Sequence, residues 1–195
     1  MKNKNLDLGK SKRPERDALD EFINTVPVNI ERLIKGQGIS LNKNASSSEI
    51  ARGTNRSSTS GDFIGEIRKN GDEYQILILG SDHYYRKRFT MAHELAHFVL
   101  HKDSIDRLGS ISDSTQYQSE GITEEQEREA NAYAAEILMP EDKVREIFDE
   151  TYRNQNGKEQ NTKEQNTIEE MSKMFQVSPR AMRLRLYLLD LINEY

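Results

Sequence analysis

The segment MAHELAHFVLH at residues 91–101 is apolar on nearly every side when written as a helix, yet it contains three histidines and a glutamate. A helix that is hydrophobic all round is usually buried inside a domain. Burial of an unpaired carboxylate is strongly disfavoured, so the glutamate needs a specific role. We therefore predict a buried helix that starts at Thr90 as its N-cap, runs through Leu100 and carries a polar functional site.

His93 and His97 lie four residues apart, and residues at that spacing share one face of a helix. Both rings can therefore reach one metal ion at about 2.0–2.1 Å. Glu94 is rotated by about 100° around the helix axis, so it can reach a water bound to that ion more easily than the ion itself. This is the H-E-x-x-H pattern, in which two histidines bind metal and the glutamate is the general base. The alternative is a pair of core histidines bonded to backbone carbonyls.

A catalytic zinc ion needs a third protein ligand and an open position. A second helix is predicted from a capping box at Thr123 to Met139, and it begins with four glutamates: Glu124, Glu125, Glu127 and Glu129. Stepping 100° per residue places Glu127 at the edge of the apolar face, whereas the other three fit a solvated acidic first turn. Glu127 is thus the predicted third ligand. Asn131, one turn later, either fixes the ring of a ligating histidine or is satisfied locally.

Two further histidines are candidates for supporting roles. On a continuous helix His101 lies eight residues, about 12 Å, after His93, so one ion cannot bind both. We expect His101 either behind the metal ligands or as a charge partner of the helix C-terminus. His83 precedes the helix and could stabilise a developing oxyanion, although a loop histidine of this kind is more often solvated.

The sequence RFTMAHELAHFVLH at 88–101, followed by EREANAYAAEILMP at 127–140, resembles the ImmA/IrrE family of metallopeptidases. The segment FQVSPRAMRLRL near the C-terminus also looks like the usual ending of that family. The resemblance implies an α+β, zincin-like domain with a small antiparallel sheet and an active-site helix, followed by a C-terminal helical module. It implies His93, His97 and Glu127 as zinc ligands and Glu94 as the catalytic base, in agreement with the spacing argument.

The resemblance also implies a biological role. Proteins similar to this one typically cleave a helix-turn-helix repressor and so relieve repression in phages, mobile elements, toxin–antitoxin modules or stress responses. From this we expect a zinc-dependent, site-specific endopeptidase with one zinc ion per chain and a repressor as its protein substrate. The alternatives are a non-catalytic metal-binding regulator and a toxin–antitoxin component that acts by protein or DNA binding. Glu94 separates them, because a purely structural metal site needs no base beside its ligands.

The composition along the chain predicts four parts. A polar tail is followed by the metallopeptidase domain, in which the sequence around Asn70-Gly71 predicts a β-hairpin and a serine-rich stretch predicts a mobile loop. The repeated sequence KEQNT falls in a predicted flexible linker, and two helices with a helix-turn-helix appearance end the chain. The predicted bounds are 1–17 for the disordered tail, 18–152 for the domain, 40–61 for its loop, 153–166 for the linker and 167–195 for the helical module.

Charge and composition argue against several other functions. The net charge of −5 is unfavourable for DNA binding, and within residues 167–195 four basic residues are offset by four acidic ones. Direct DNA binding is therefore not expected. The absence of cysteine excludes disulfides, thiolate metal sites and a cysteine nucleophile. No apolar run has the roughly 18 residues of a membrane span, and the N-terminus does not have a signal-peptide pattern, so we expect a cytoplasmic protein without a membrane partner.

Overall fold

The computed structural model describes residues 25–51, 63–114, 122–155, 157 and 159–193. Four strands form one sheet in the order β1-β3-β2-β4. Their bounds are β1 Ser40–Ala45, β2 Phe63–Asn70, β3 Glu73–Leu79 and β4 Ser110–Ser114. The predicted hairpin is present, because β2 pairs antiparallel with β3 and Asn70 lies opposite Glu73. Gly71 in its two-residue turn has a φ of 64°, which glycine adopts without strain.

Seven helices are present in the described residues. Their bounds are α1 Ile30–Gly36, α2 Ser47–Ala51, α3 Tyr84–Leu108, α4 Glu124–Leu138, α5 Glu141–Asn154, α6 Gln160–Phe175 and α7 Pro179–Leu188. With the four-stranded sheet they confirm the α+β class. The sheet is mixed, however, and not antiparallel as expected, because β1 runs parallel to β3.

The mobile loop predicted at 40–61 is wrong for its first half, which forms β1 and α2. Serine and asparagine made this stretch look like a loop, but β1 gains backbone pairing with β3 at the sheet edge, where only Ala45 of its side chains is buried. In α2, Ile50 is fully buried beside Leu77. The residues 52–61 of that loop, and the predicted tail at 1–17, lie outside the described residues.

Helix α3 is longer at both ends than predicted. It begins after His83, whose side chain accepts a hydrogen bond from the Tyr85 backbone N–H, so His83 is the N-cap and Thr90 is a buried residue inside the helix. It continues to Leu108, because Ile105 lies in the core and makes the last turns amphipathic. The backbone leaves helical dihedral angles at His101, where φ is −128° and ψ is 29°.

Helix α4 has the predicted start. The Thr123 hydroxyl accepts from the backbone N–H of Gln126, and the Gln126 side chain accepts from the backbone N–H of Thr123. These reciprocal bonds are the capping box that fixes the first turn of a helix. The helix ends at Leu138, and Pro140 then stands at the N-cap of α5. The capping box thus fixes where α4 begins beside α3.

The flexible linker predicted at 153–166 is also wrong, since residues 160–166 form the first turns of α6. The repeat contains lysine, glutamate and glutamine, which are good helix formers despite their low complexity. Its side chains also have partners at the end of α5. Gln160 donates to the Tyr152 hydroxyl, and the Lys163 ammonium lies 3.8 Å from the centroid of the same ring.

The C-terminal helices share the main hydrophobic core with the sheet and with α3 and α4. Arg88 joins three parts of this core, because its buried guanidinium donates to the carbonyl oxygens of Val28 at 3.0 Å and Gln176 at 3.2 Å. Arg185 of α7 pairs with Glu136 of α4. Within the part of the chain that the structure describes, no helix combines the length and apolarity needed to cross a bilayer.

Candidate metal centre

Two helices bring the predicted ligands to one point. His93 and His97 on α3 are 2% and 1% exposed, and Glu127 on α4 approaches them from the adjoining helix with 23% of its side chain exposed. One ligand atom from each residue lies within 4.8 Å of the other two. The three residues thus form one cluster, buried on the histidine side and open to solvent on the glutamate side.

The distances within the cluster suit a metal ion. The two histidine Nε2 atoms are 3.0 Å apart, and Glu127 Oε2 lies 3.3 Å from that of His93 and 3.7 Å from that of His97. Ligand atoms about 2.0–2.1 Å from a tetrahedral ion lie about 3.3 Å from one another. The observed spacing is therefore close to that expected of three ligands that bind one zinc-sized ion.

Hydrogen bonds behind the rings support the same conclusion. His93 Nδ1 lies 3.2 Å from Asn131 Oδ1, which accepts, so the proton of His93 is on Nδ1 and its Nε2 carries a lone pair. His97 Nδ1 lies 3.2 Å from His101 Nδ1, which can accept its proton in the same way. Two nitrogen lone pairs and a carboxylate then converge, and this is a donor set suited to a metal cation.

The pKa values of two of these groups shift in the direction that metal binding requires. Burial lowers the pKa of His97, against the opposing influence of the nearby Glu127, so the neutral imidazole is favoured. Burial alone would raise the pKa of Glu127, but the close approach of His93 and His97 outweighs it and lowers that pKa to about 2. A neutral imidazole and an ionised carboxylate are forms that bind a metal ion.

Glu94 follows the first ligand and is fully buried. Its side chain is directed towards β2, where the backbone of Gly65 leaves space for it. A Cβ atom added to Gly65 would lie 2.8 Å from Glu94 Oε1 and 2.3 Å from Thr90 Cγ2. The predicted base is thus held between the active-site helix and the sheet.

The supporting candidates occupy different positions. Asn131 and His101 both contact a ligand histidine from behind, as described above. His83 is exposed at the N-terminus of α3, ten residues before His93, a separation of about 15 Å along a helix. The structure therefore brings Asn131 and His101 to the metal centre and leaves His83 away from it.

Sequence reasoning missed one residue near the centre. Glu129 was expected to be solvated, but its Oε2 lies 3.0 Å from His101 Nε2. The 100° step is too coarse here, because α4 crosses α3 along a broad face and a glutamate side chain is long enough to reach round it. His101 follows His97 by four residues, and this spacing was the sequence signal that hydrogen-bonded side chains continue beyond the ligands.

A helix bearing H-E-x-x-H on a small sheet, with a glutamate from the following helix, defines a metallopeptidase of the zincin-like class. The model of a peptidase family described as the IrrE N-terminal-like domain matches residues 56–187, which include both helices of the metal centre. The chain therefore belongs to the ImmA/IrrE family of metallopeptidases. No curated protein matches the chain significantly.

Proposed function

We propose that this protein is a zinc-dependent, site-specific endopeptidase that cleaves a helix-turn-helix transcriptional repressor and thereby relieves repression. The observation that carries the proposal is the convergence of His93, His97 and Glu127 on one point, with the fully buried Glu94 next to the first of them. A structural zinc site has four protein ligands and no base. Three ligands with a neighbouring carboxylate are the arrangement of a hydrolytic centre.

Zinc, when bound, supplies a Lewis acid for the scissile carbonyl and lowers the pKa of a bound water towards about 7. His93, His97 and Glu127 would hold the ion, and Asn131 and His101 would orient the two imidazole rings. Glu94 takes the proton of the attacking water and then delivers it to the leaving amine. The buried position of Glu94 keeps that proton away from bulk solvent between the two steps.

The repressor substrate is proposed from the family to which the chain belongs. A regulatory peptidase must select one protein among many, and contacts far from the scissile bond supply that selectivity. The setting we propose is the cytoplasm, where a repressor and its operator are present, with no membrane partner. Direct DNA binding is not part of the proposal, because the net charge of the chain is −5.

The test is incubation of the purified, zinc-loaded protein with the repressor encoded beside its gene. We expect one cleavage in the repressor, detected by mass spectrometry. Glu94→Gln should retain zinc and lose about 10²- to 10⁴-fold in cleavage rate, the usual contribution of a general base. Cleavage by Glu94→Gln at the wild-type rate would exclude the mechanism, and an intact repressor with active, zinc-loaded protein would exclude the substrate.

A further inference from the structure

A chain of three side chains extends from the metal centre to the surface. His97 Nδ1 lies 3.2 Å from His101 Nδ1, and His101 Nε2 lies 3.0 Å from Glu129 Oε2. The two rings have centroids 5.3 Å apart and an interplanar angle of 52°. His101 is buried, with 5% of its side chain exposed, whereas the side chain of Glu129 is 44% exposed. The chain therefore starts in the interior at a metal ligand and ends at solvent.

The positions of the protons follow from the ligand role of His97. If its Nε2 binds metal, the proton of the neutral ring must be on Nδ1, which then donates to His101 Nδ1. His101 Nδ1 must in turn be unprotonated, so the proton of His101 is on Nε2 and is donated to Glu129. An acceptor oxygen at that position fixes this order, and the carboxylate of Glu129 supplies one.

We propose that Glu129 is a positioning residue of the metal centre, which fixes the tautomer of His101 and, through it, that of His97. The inference rests on the proposed function, because it requires His97 Nε2 to bind zinc. Without Glu129 the proton of His101 can move to Nδ1, where it would face the Nδ1 proton of His97. Two donors at 3.2 Å repel, and His97 then loses the contact that orients its ring.

The two ligand histidines are thus held in different ways. His93 is oriented by one direct partner, Asn131, and His97 by a relay of two residues. Partners of this kind behind a metal ligand are typically worth about 10- to 100-fold in affinity or activity. Because Glu129 is partly exposed and acts through His101, we expect the lower end of that range.

The experiment compares zinc affinity in three variants of the full chain, measured by competition with a chromophoric chelator. Glu129→Ala removes the acceptor and should weaken zinc binding about tenfold. Glu129→Gln keeps an acceptor oxygen at the same length, so it should restore most of the wild-type affinity. Glu125→Ala is the matched control, because it removes an exposed glutamate from the first turn of the same helix and should leave the affinity unchanged.

A second readout reports the tautomers directly. Long-range ¹H–¹⁵N NMR spectra of the zinc-loaded protein should show His101 with its proton on Nε2 in the wild type, and a loss of that state in Glu129→Ala. Equal affinities for Glu129→Ala and Glu125→Ala, or a wild-type His101 protonated on Nδ1, would overturn the relay while leaving zinc binding and peptidase activity intact. A wild-type chain that binds no zinc would instead overturn the proposed function, and the relay with it.

Discussion

Gly65 and Glu94 are in such close contact that a side chain at position 65 would displace the side chains of Thr90 and Glu94. A Cβ atom there would lie 2.8 Å from Glu94 Oε1 and 2.3 Å from Thr90 Cγ2, and real Cβ contacts are not found at such distances. Gly65 belongs to β2, a central strand of the sheet, so neither side of the contact is a flexible loop. The sheet thus sets the position of the predicted catalytic base.

Gly65→Ala should therefore damage both folding and catalysis. Overpacking of a buried contact costs about 1–3 kcal/mol, which urea unfolding would show as a lower free energy of unfolding. Displacement of Glu94 by a fraction of an ångström to about 1 Å should lower the rate of peptide cleavage by about 10- to 100-fold. Zinc affinity should change much less, because the added Cβ would meet Thr90 and Glu94 and neither ligand histidine is among its nearest neighbours.

Thr90→Ser supplies a control for that prediction, since it removes the Cγ2 methyl group and keeps the hydroxyl. In the double variant with Gly65→Ala the 2.3 Å contact is gone and the 2.8 Å contact with Glu94 remains. Stability should recover more than activity. Equal recovery of both would show that the methyl contact alone accounts for the loss, and no recovery of either would contradict the steric explanation.

The metal centre was largely predictable because helical spacing alone determines it. His93 and His97 are four residues apart on one helix, and the angular position of Glu127 selects it among four glutamates. Glu129 and the kink at His101 were not predictable, because they depend on how α3 and α4 cross. Gly65 was not predictable either, since no pattern within a strand shows which residue of it will meet a helix distant in the sequence.

The missed parts of the fold have a common physical origin. Residues 40–45 and 160–166 are polar and lack a regular apolar pattern, so their side chains gave no sign of regular structure. Their order comes from other groups: β1 is held by backbone hydrogen bonds to β3, and the start of α6 by contacts with Tyr152. Elements that bury their own apolar face, such as α4 and the β2–β3 hairpin, were predicted correctly.

Glu127→Gln should remove the metal without unfolding the protein. The amide has the same size but no charge, so two neutral histidines are left to hold a divalent cation. Elemental analysis should find about one zinc ion per wild-type chain and a large loss in the variant. Glu125→Gln, which removes a charge from the same helix turn, should keep the full zinc content. Equal zinc in both variants would show that Glu127 is not a ligand.

Glu66 gives the protein a pH dependence that is separate from the metal centre. Its side chain is fully buried on β2, and this burial raises its pKa to about 7, although Arg68 and a hydrogen bond with Ser110 act in the opposite direction. Between its ordinary pKa of 4.5 and about 7, the folded chain keeps a proton that the unfolded chain releases. The free energy of unfolding should therefore fall as the pH rises through this window and then level off.

Glu66→Gln should abolish this part of the pH dependence. Between about pH 5 and about pH 8 the free energy of unfolding of the wild type should fall by up to about 3 kcal/mol relative to that of the variant. Urea unfolding of chelator-treated protein measures the effect without interference from zinc binding. Glu73→Gln, at the exposed start of β3, is the control and should follow the wild-type curve. If the free energy of unfolding of Glu66→Gln changes with pH in the same way as that of wild type, Glu66 is ionised in the folded protein.

The shared core predicts that the C-terminal helices and the metal centre unfold together. Phe175 at the end of α6 is fully buried and belongs to the same cluster as Leu95 of α3 and Ala134 of α4. Phe175→Ala should cost about 3–5 kcal/mol and lower the midpoint of a single transition, followed both by circular dichroism and by the absorption of cobalt at the metal site. Met174→Ala, at a neighbouring position that is 40% exposed, should change the midpoint little. The contrary result would be two separate transitions, of which Phe175→Ala shifts only the midpoint seen by circular dichroism. Residues 167–195 would then be an independent module.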